Sequence, residues 1–467
     1  MLFFILLAQL SIVASLASIN LTLPELRIEL GASDGQLQWA LVSEQLAYAV
    51  LLIVGGRLGD LYGRRRLYVI GLVGFTGASL LAALAVSPEF VIAARMLQGI
   101  SGGLGSPQVL AMIRDHFEGE QQARAYAWFS LVSGLGFTIG QVASGVLISS
   151  DLFGLGWRLP FLAAALGTFV GLFSPSPPPP IRPKARARDV DVGGALLLAA
   201  SALLILYPLI QGQEAGWPPV YFVAMALAVP TAVMFVRRQQ RRARTGVALV
   251  DVRLFKIPTF RVAVCLGAVF SITAMAPFFV LSYTLQSGFG YSAMETALYM
   301  AGGPLFMVPA SMLSTRAIRR FGRGVYVIGA TLSAASAVAV YLVVGAGGAP
   351  AQPLWLLPAL AMQGFGQGLF LPATTLVLMA HIPGPDASTA AAVHQTASQF
   401  AGAIGMASFG VIYFAALGAG TAAQSSAAFS HLVPVTLGCT VALLLASRMI
   451  PRSLLGERAP APVPAPG

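Results

Sequence analysis

Cysteine, histidine, lysine and acidic residues are all scarce in this 467-residue sequence, and each scarcity closes off a class of function. The two cysteines, Cys265 and Cys439, both lie in apolar runs. That pattern supports neither a disulfide framework nor a metal cluster, and leaves both as small packing residues. With four histidines and 17 carboxylates, no loop gathers a nucleophile, a base and an orienting group, so neither catalysis nor a metal site is expected. The string MQGFGQGLFLP (362–372) has nucleotide-loop glycines but no preceding strand, lysine or acidic ribose partner, which rejects that reading. Charge itself is the largest deficit. At 10% charged and 57% hydrophobic residues, with a mean hydropathy of +0.79, there is too little polar surface to coat a water-soluble fold.

What replaces charge is a series of apolar runs of the length a bilayer requires, roughly 20 residues for a core about 30 Å thick. Read between polar breaks, they predict an all-α polytopic membrane protein with fourteen spans. These lie near 2–23, 36–57, 67–86, 90–112, 124–148, 158–174, 192–210, 218–236, 261–285, 295–315, 325–346, 354–380, 388–413 and 430–450. The first run has no basic flank on its N-terminal side and many runs come after it, so it is read as a retained helix and not as a secretory signal. An even number of spans puts both termini on one side. All basic residues except Arg27, Arg95 and Arg158 then fall on that side, which is expected to be cytoplasmic. The net charge of +11 is thus accounted for by anionic lipid, with no nucleic-acid partner. The dominance of arginine, with Lys184 and Lys256 the only lysines, alongside many Ala, Gly and Pro resembles a high-GC bacterial proteome, so the membrane expected is a bacterial inner membrane.

The connections divide the chain. A Pro-rich, then basic linker (175–191) comes after a six-helix unit (1–174). Two more helices (192–236) and a basic cytoplasmic loop (237–260) precede a second six-helix unit (261–450), and a disordered cytoplasmic tail (451–467) ends the chain.

Between the second and third runs stands GRLGDLYGRRR (56–66). Gly56, Gly59 and Gly63 allow two helices and a tight turn to approach closely, Asp60 can accept hydrogen bonds, and Arg64, Arg65 and Arg66 anchor the turn in headgroups, with Arg57 part of the same motif. The string resembles the signature between helices 2 and 3 of the major facilitator superfamily. RMLQGISGG (95–103) is similar to that family's helix-4 motif with its buried arginine, and GLGFTIGQVASG (134–145) to the glycine-rich helix-5 motif of antiporters. WRLPF (157–161) resembles the start of helix 6. Residues 189–217 with 250–261 resemble the central region of the fourteen-helix drug:proton antiporters of the QacA and EmrB type. The resemblance implies the major facilitator fold, two six-helix bundles plus two central helices, and alternating access. It also implies efflux driven by the proton gradient with no cofactor. In the second half only RAIRRFGRG (316–324) echoes the signature, without its aspartate.

Two departures matter. Ser15 stands where the family commonly carries a membrane-embedded aspartate, and Gln141 stands where the helix-5 motif has proline, among Gly136, Gly140 and Gly145. The acid that remains inside a span is Glu44, and a charged carboxylate in lipid costs roughly 2.5 kcal/mol or more unless it faces a cavity or finds a partner. Glu44 and Arg95 lie at similar distances from the same ends of their helices, roughly 8–13 Å deep at about 1.5 Å per residue, close enough in depth to interact. Either Glu44 carries the proton while Arg95 tunes it, or the two neutralise each other permanently. Trp39, Gln363, Gln367 and His394 are candidate lining of a substrate cavity; the two amides sit one turn apart, and His394 is the one histidine inside a span.

The expectation is a monomeric proton-coupled exporter of hydrophobic or amphipathic small molecules such as drugs or antibiotics. The alternatives are a dedicated exporter of one metabolite, or a non-transporting sensor or lipid-handling protein.

Overall fold

The computed structural model describes residues 1–175, 191–243, 248–345, 353–383, 386–418 and 421–450. Most of the 175–191 linker, part of the 237–260 loop and the 451–467 tail lie outside the described residues.

The first group of helices is α1 (Leu2–Leu30), α2 (Asp34–Tyr62), α3 (Arg64–Ala83), α4 (Pro88–His116), α5 (Gly119–Ser150) and α6 (Leu159–Gly171). A pair comes next, α7 (Val192–Gln211) and α8 (Pro219–Ala243). The rest are α9 (Pro258–Tyr283), α10 (Ala293–Met300), α11 (Gly302–Phe321), α12 (Gly324–Val344), α13 (Leu356–Met379), α14 (Ala387–Leu417), α15 (Ala422–Ser430) and α16 (Leu432–Arg448). Segments α10–α11 and α15–α16 each make one span, broken at Ala301 and His431, where Pro304 and Pro434 leave a first turn short of N–H donors.

Among the described residues twelve helices are long and apolar enough to cross a membrane, where fourteen spans were expected. The two that fall short do so for different reasons. Helix α4 has its apolar run diluted by Arg95, Gln98, Ser101, Ser106, Gln108 and several glycines, and α6 has only 13 residues. Helix α1 runs past the predicted 23 to Leu30 because Arg27 and Glu29 find partners, Asp34 and Arg158, and Gly31 ends it with φ of 66°. Helix α8 runs past 236 to Ala243, since arginine and glutamine are good helix formers even where apolarity ends.

The exterior carries the signature of lipid. In α8 only 6% of the apolar window is buried in the protein, with Phe222, Val229 and Met234 all exposed, which is tenable only against hydrocarbon. The two ends differ in charge. One holds Glu29, Asp34, Glu89, Asp151 and Glu214, the other Arg57, Arg64, Arg65 and Arg238.

At the acidic end the two groups of helices meet directly. The Met294 N–H of α10 donates to Ser149 Oγ of α5, Ser282 Oγ donates to the Asn20 carbonyl, and the Arg27 guanidinium lies 5.8 Å from the Tyr283 and Phe414 ring centroids. Helix α7 packs against both α2 and α14. The α7–α8 pair is tied to α2 at each end. Glu214 accepts from the Gly35 N–H at 2.7 Å; at the other end, Gln239 Oε1 accepts from the Leu249 and Val250 N–H groups, and Arg57 donates to the Ala248 carbonyl at 3.2 Å.

Candidate functional site

Helix α2 begins with a reciprocal cap, Ser33 accepting from the Gln36 N–H and Gln36 from the Ser33 N–H, and Ser87 starts α4 in a similar way by accepting from the Phe90 N–H. These starts set the depth of every later residue on the two helices. Glu44 lies about 15 Å along α2 and Arg95 about 11 Å along α4 at the α-helical rise. The two helices cross where Gly99 lacks a side chain, because a Cβ there would collide with the Glu44 carbonyl oxygen. That contact brings the charges together: Arg95 Nη1 pairs with Glu44 Oε2, and the residues are 0% and 1% exposed.

Four helices contribute to the pair. Arg95 Nε donates to the Ala40 carbonyl at 3.2 Å, and Nη1 donates to Ser15 Oγ at 3.2 Å and Gln98 Oε1 at 3.3 Å. Gln98 in turn donates to Ser79 Oγ of α3 at 2.8 Å. Ser15, the position where the family resemblance expects aspartate, thus touches the arginine, and Glu44 supplies the carboxylate from the neighbouring helix. Arg95 Nη2 is buried and has no hydrogen-bond partner among the described residues. An unmade bond of that kind costs about 1–3 kcal/mol or more for a charged group. Glu44 also adjoins a contact between the two groups of helices, because the next residue, Gln45, donates to the Gln399 carbonyl of α14 at 3.1 Å. Sequence reasoning found Glu44 and Arg95 but missed Gln98, Ser79 and Gln45. The i, i+3 spacing of Gln98 from Arg95 was the available signal for the first of them.

The 56–66 signature forms the basic-end turn. Gly63, with φ of 93°, joins α2 to α3 in a conformation that favours glycine, while Gly59 makes room for the Gln108 amide, which donates to the Gly55 carbonyl at 2.8 Å. Gly56 meets nothing nearby. Asp60 accepts from Arg64 at 3.1 Å, and Arg64 also pairs with Asp115 at the end of α4, a partner the sequence did not suggest. Arg65 donates to the Ser174 carbonyl at 3.0 Å.

Along α5, Gly136 and Gly140 face α1, at Val13 and Ala14, whereas Gly145 and Gln141 face α10, at Ala297 and Met300. The motif therefore sits where α5 bridges the two groups. Trp39, Gln363, Gln367 and His394 are not gathered in one cavity. Trp39 packs on Tyr207 of α7, with ring centroids 6.2 Å apart, and His394 abuts Gly267 of α9. Gln363 and Gln367 line two adjoining cavities among the later helices.

Comparison with known proteins agrees with this architecture. The profile of the Major Facilitator Superfamily matches residues 5–406 and 264–464. The chain is 36% identical over 409 residues to the probable actinorhodin transporter of Streptomyces coelicolor, covering 85% of this chain and 69% of that protein. It is 30% identical over 458 residues to a puromycin resistance protein of Streptomyces alboniger, covering 95% and 87%. To a cephamycin export protein of Amycolatopsis lactamdurans it is 29% identical, covering 95% and 90%. Among solved structures, a D-xylose–proton symporter superposes with a TM-score of 0.66 at 16% identity, over 97% of this chain and 98% of that one, a likeness of fold alone.

Proposed function

The chain belongs to the Major Facilitator Superfamily, and from that premise we propose that it exports amphipathic small molecules of the drug or antibiotic class in exchange for protons. The names of its relatives, an antibiotic transporter, a resistance protein and an antibiotic export protein, support the substrate class. Glu44 carries the proton and Arg95 balances it, and the proton gradient is the energy source, with no cofactor. The observation that carries this reading is the fully buried Glu44–Arg95 pair with an unsatisfied guanidinium nitrogen. Burial favours the neutral acid and the guanidinium favours the carboxylate, so a change in hydration on opening can move the proton either way. Gln45 links that change to α14.

In this reading the protein is of the fourteen-helix QacA and EmrB type, with α4 and α6 crossing as well, and residues 1–174 and 261–450 rock as two bundles about the cavity between them. The basic end and both termini face the cytoplasm of a bacterial cell, and the protein works as a monomer in lipid. Contact between the bundles at the acidic end then corresponds to a state closed to the outside. The signature at 56–66 and the α5 glycines are the parts that slide and separate.

The test uses inside-out vesicles made acidic inside. Wild type should accumulate ethidium, and Glu44→Gln should lose the dependence on the pH gradient. Undiminished gradient dependence in Glu44→Gln would remove Glu44 from the mechanism.

A further inference from the structure

The donors of Arg95 are unevenly shared. Nη1 carries two N–H groups, yet four oxygens converge on it: Glu44 Oε2, Ser15 Oγ at 3.2 Å, the Ser15 carbonyl at 3.4 Å and Gln98 Oε1 at 3.3 Å. Nη2 has no hydrogen-bond partner among the described residues. Glu44 therefore competes with Ser15 and Gln98 for the same protons of the guanidinium.

Gln98 is held in that competition from α3. Its Nε2 donates to Ser79 Oγ at 2.8 Å, and Ser79 gives its own proton to the Phe75 carbonyl at 2.7 Å. With that proton spent, Ser79 Oγ can only accept, so the amide keeps its N–H side toward α3 and its oxygen toward Arg95. A flipped amide would set oxygen against oxygen at Ser79 and N–H against the guanidinium. Gln98 and Ser79 are both 0% exposed, which denies bulk water either bond.

We propose that Gln98 is a positioning residue for proton uptake: as a fixed second acceptor, it takes the Arg95 N–H that Glu44 gives up on protonation. The role rests on the reading of Glu44 as proton carrier. A neutral carboxyl accepts more weakly than a carboxylate, and a buried guanidinium left short of acceptors is costly. By supplying the replacement, Gln98 lowers that cost and favours the protonated acid. Without it the carboxylate is the best partner Arg95 has left, and the proton goes on only at lower pH. Among the described residues Glu44 is faced by two ionisable groups, Arg95 and, one turn along α2, Tyr48. Ser15 of α1, Ser79 of α3 and Gln399 of α14 bring no charge, while Tyr207 of α7 meets Trp39 and His394 of α14 meets Gly267 of α9.

Infrared difference spectroscopy on the full chain in lipid nanodiscs follows the C=O band of protonated Glu44 as pH is lowered, the band being assigned by its loss in Glu44→Gln. Gln98→Leu, close in size, should move the midpoint of that band to lower pH by about 0.5–1 unit, about a three- to tenfold change. Ser79→Ala, which frees the amide to turn, should move it the same way by less, and Ser79→Thr, which keeps the hydroxyl, should hold the wild-type midpoint. Ser314→Ala, a buried serine lost from the other crossing of helices, should leave it unmoved. The pH profile of ethidium uptake by inside-out vesicles should shift with the band. A Glu44 band whose midpoint is unmoved in Gln98→Leu, or moved to higher pH, would overturn the role of Gln98 alone. Where Gln98→Leu does not fold, equal midpoints in Ser79→Ala and Ser79→Thr would do so. A titrating band that survives in Glu44→Gln, or none in wild type, would remove Glu44 from proton carriage and this role with it.

Discussion

In the α2–α4 pair, backbone meets backbone at Gly55, Gly99 and Gly103; in the pair formed by α10–α11 with α13, it does so at Gly302, Gly364 and Gly368. Both crossings are close because a Cβ at these points would strike the facing chain. What they enclose differs. The first holds Glu44 and Arg95, whereas the second is fastened by Ser311 donating to the Gly368 carbonyl at 3.1 Å and Ser314 donating to the Leu369 carbonyl at 2.9 Å. At the basic end the first has Asp60, Arg64 and Asp115, while the second has the arginines of 316–323, with no ion pair among the described residues. A neutral crossing of the same construction is therefore viable. Since buried ion pairs contribute little net stability over apolar residues of similar size, the contrast favours the proton-carrying role proposed for Glu44 over a purely structural one.

The largest effect that tests this contrast is Arg95→Ala, which leaves a buried carboxylate and should destabilise the protein by about 3–5 kcal/mol. Ser314→Ala in the neutral crossing should cost only about 1 kcal/mol. Thermal unfolding in detergent at neutral pH measures both. The double variant Glu44→Leu with Arg95→Met should recover most of the stability and none of the proton-driven transport; recovered transport would break the contrast.

Next come Gly99→Ala and Gly364→Ala, each expected to lose about 1–3 kcal/mol through overpacking, alike in the two crossings. A loss confined to one would mean that the two are not built the same way.

Smaller still is Asp115→Asn. Its pairing with the partly exposed Arg64 should be worth about 0–1 kcal/mol in the same unfolding measurement.

The last concerns acid. Asp191, at the start of α7, has its proton affinity raised by burial. Hydrogen bonds from Arg238, the Gly194 N–H and Gln239, with the Arg238 charge, outweigh that and hold its pKa below the usual aspartate value. Its contribution is then complete above the unfolded value of about 3.9 and is lost as pH falls through the lower folded value. Asp191→Asn should flatten that part of the stability–pH curve below about pH 4, with little change to the slope above it.

Much of this was legible in residue order. Long apolar runs located the helices, and the single acid within them pointed to Glu44, because hydrocarbon tolerates few exceptions. Depth along α2 and α4 was enough to pair it with Arg95. The breaks at Ala301 and His431 were not legible, since apolarity continues across them and only the helix geometry changes. Nor was the extension of α1 to Leu30, which depends on ion partners far along the chain. The dispersal of Trp39, His394 and the two glutamines was hidden for another reason: period and burial place a residue on a face but do not say which neighbour that face meets.

The double tether of the α7–α8 pair has a mechanical consequence. Held to α2 at both ends and packed on α14 as well, with its outer flank in hydrocarbon, the pair is a strut laid across both groups of helices. In the rocking cycle proposed above, one of those two contacts has to slide while the outer flank moves through acyl chains, which ties turnover to the viscosity of the bilayer as well as to the chemistry.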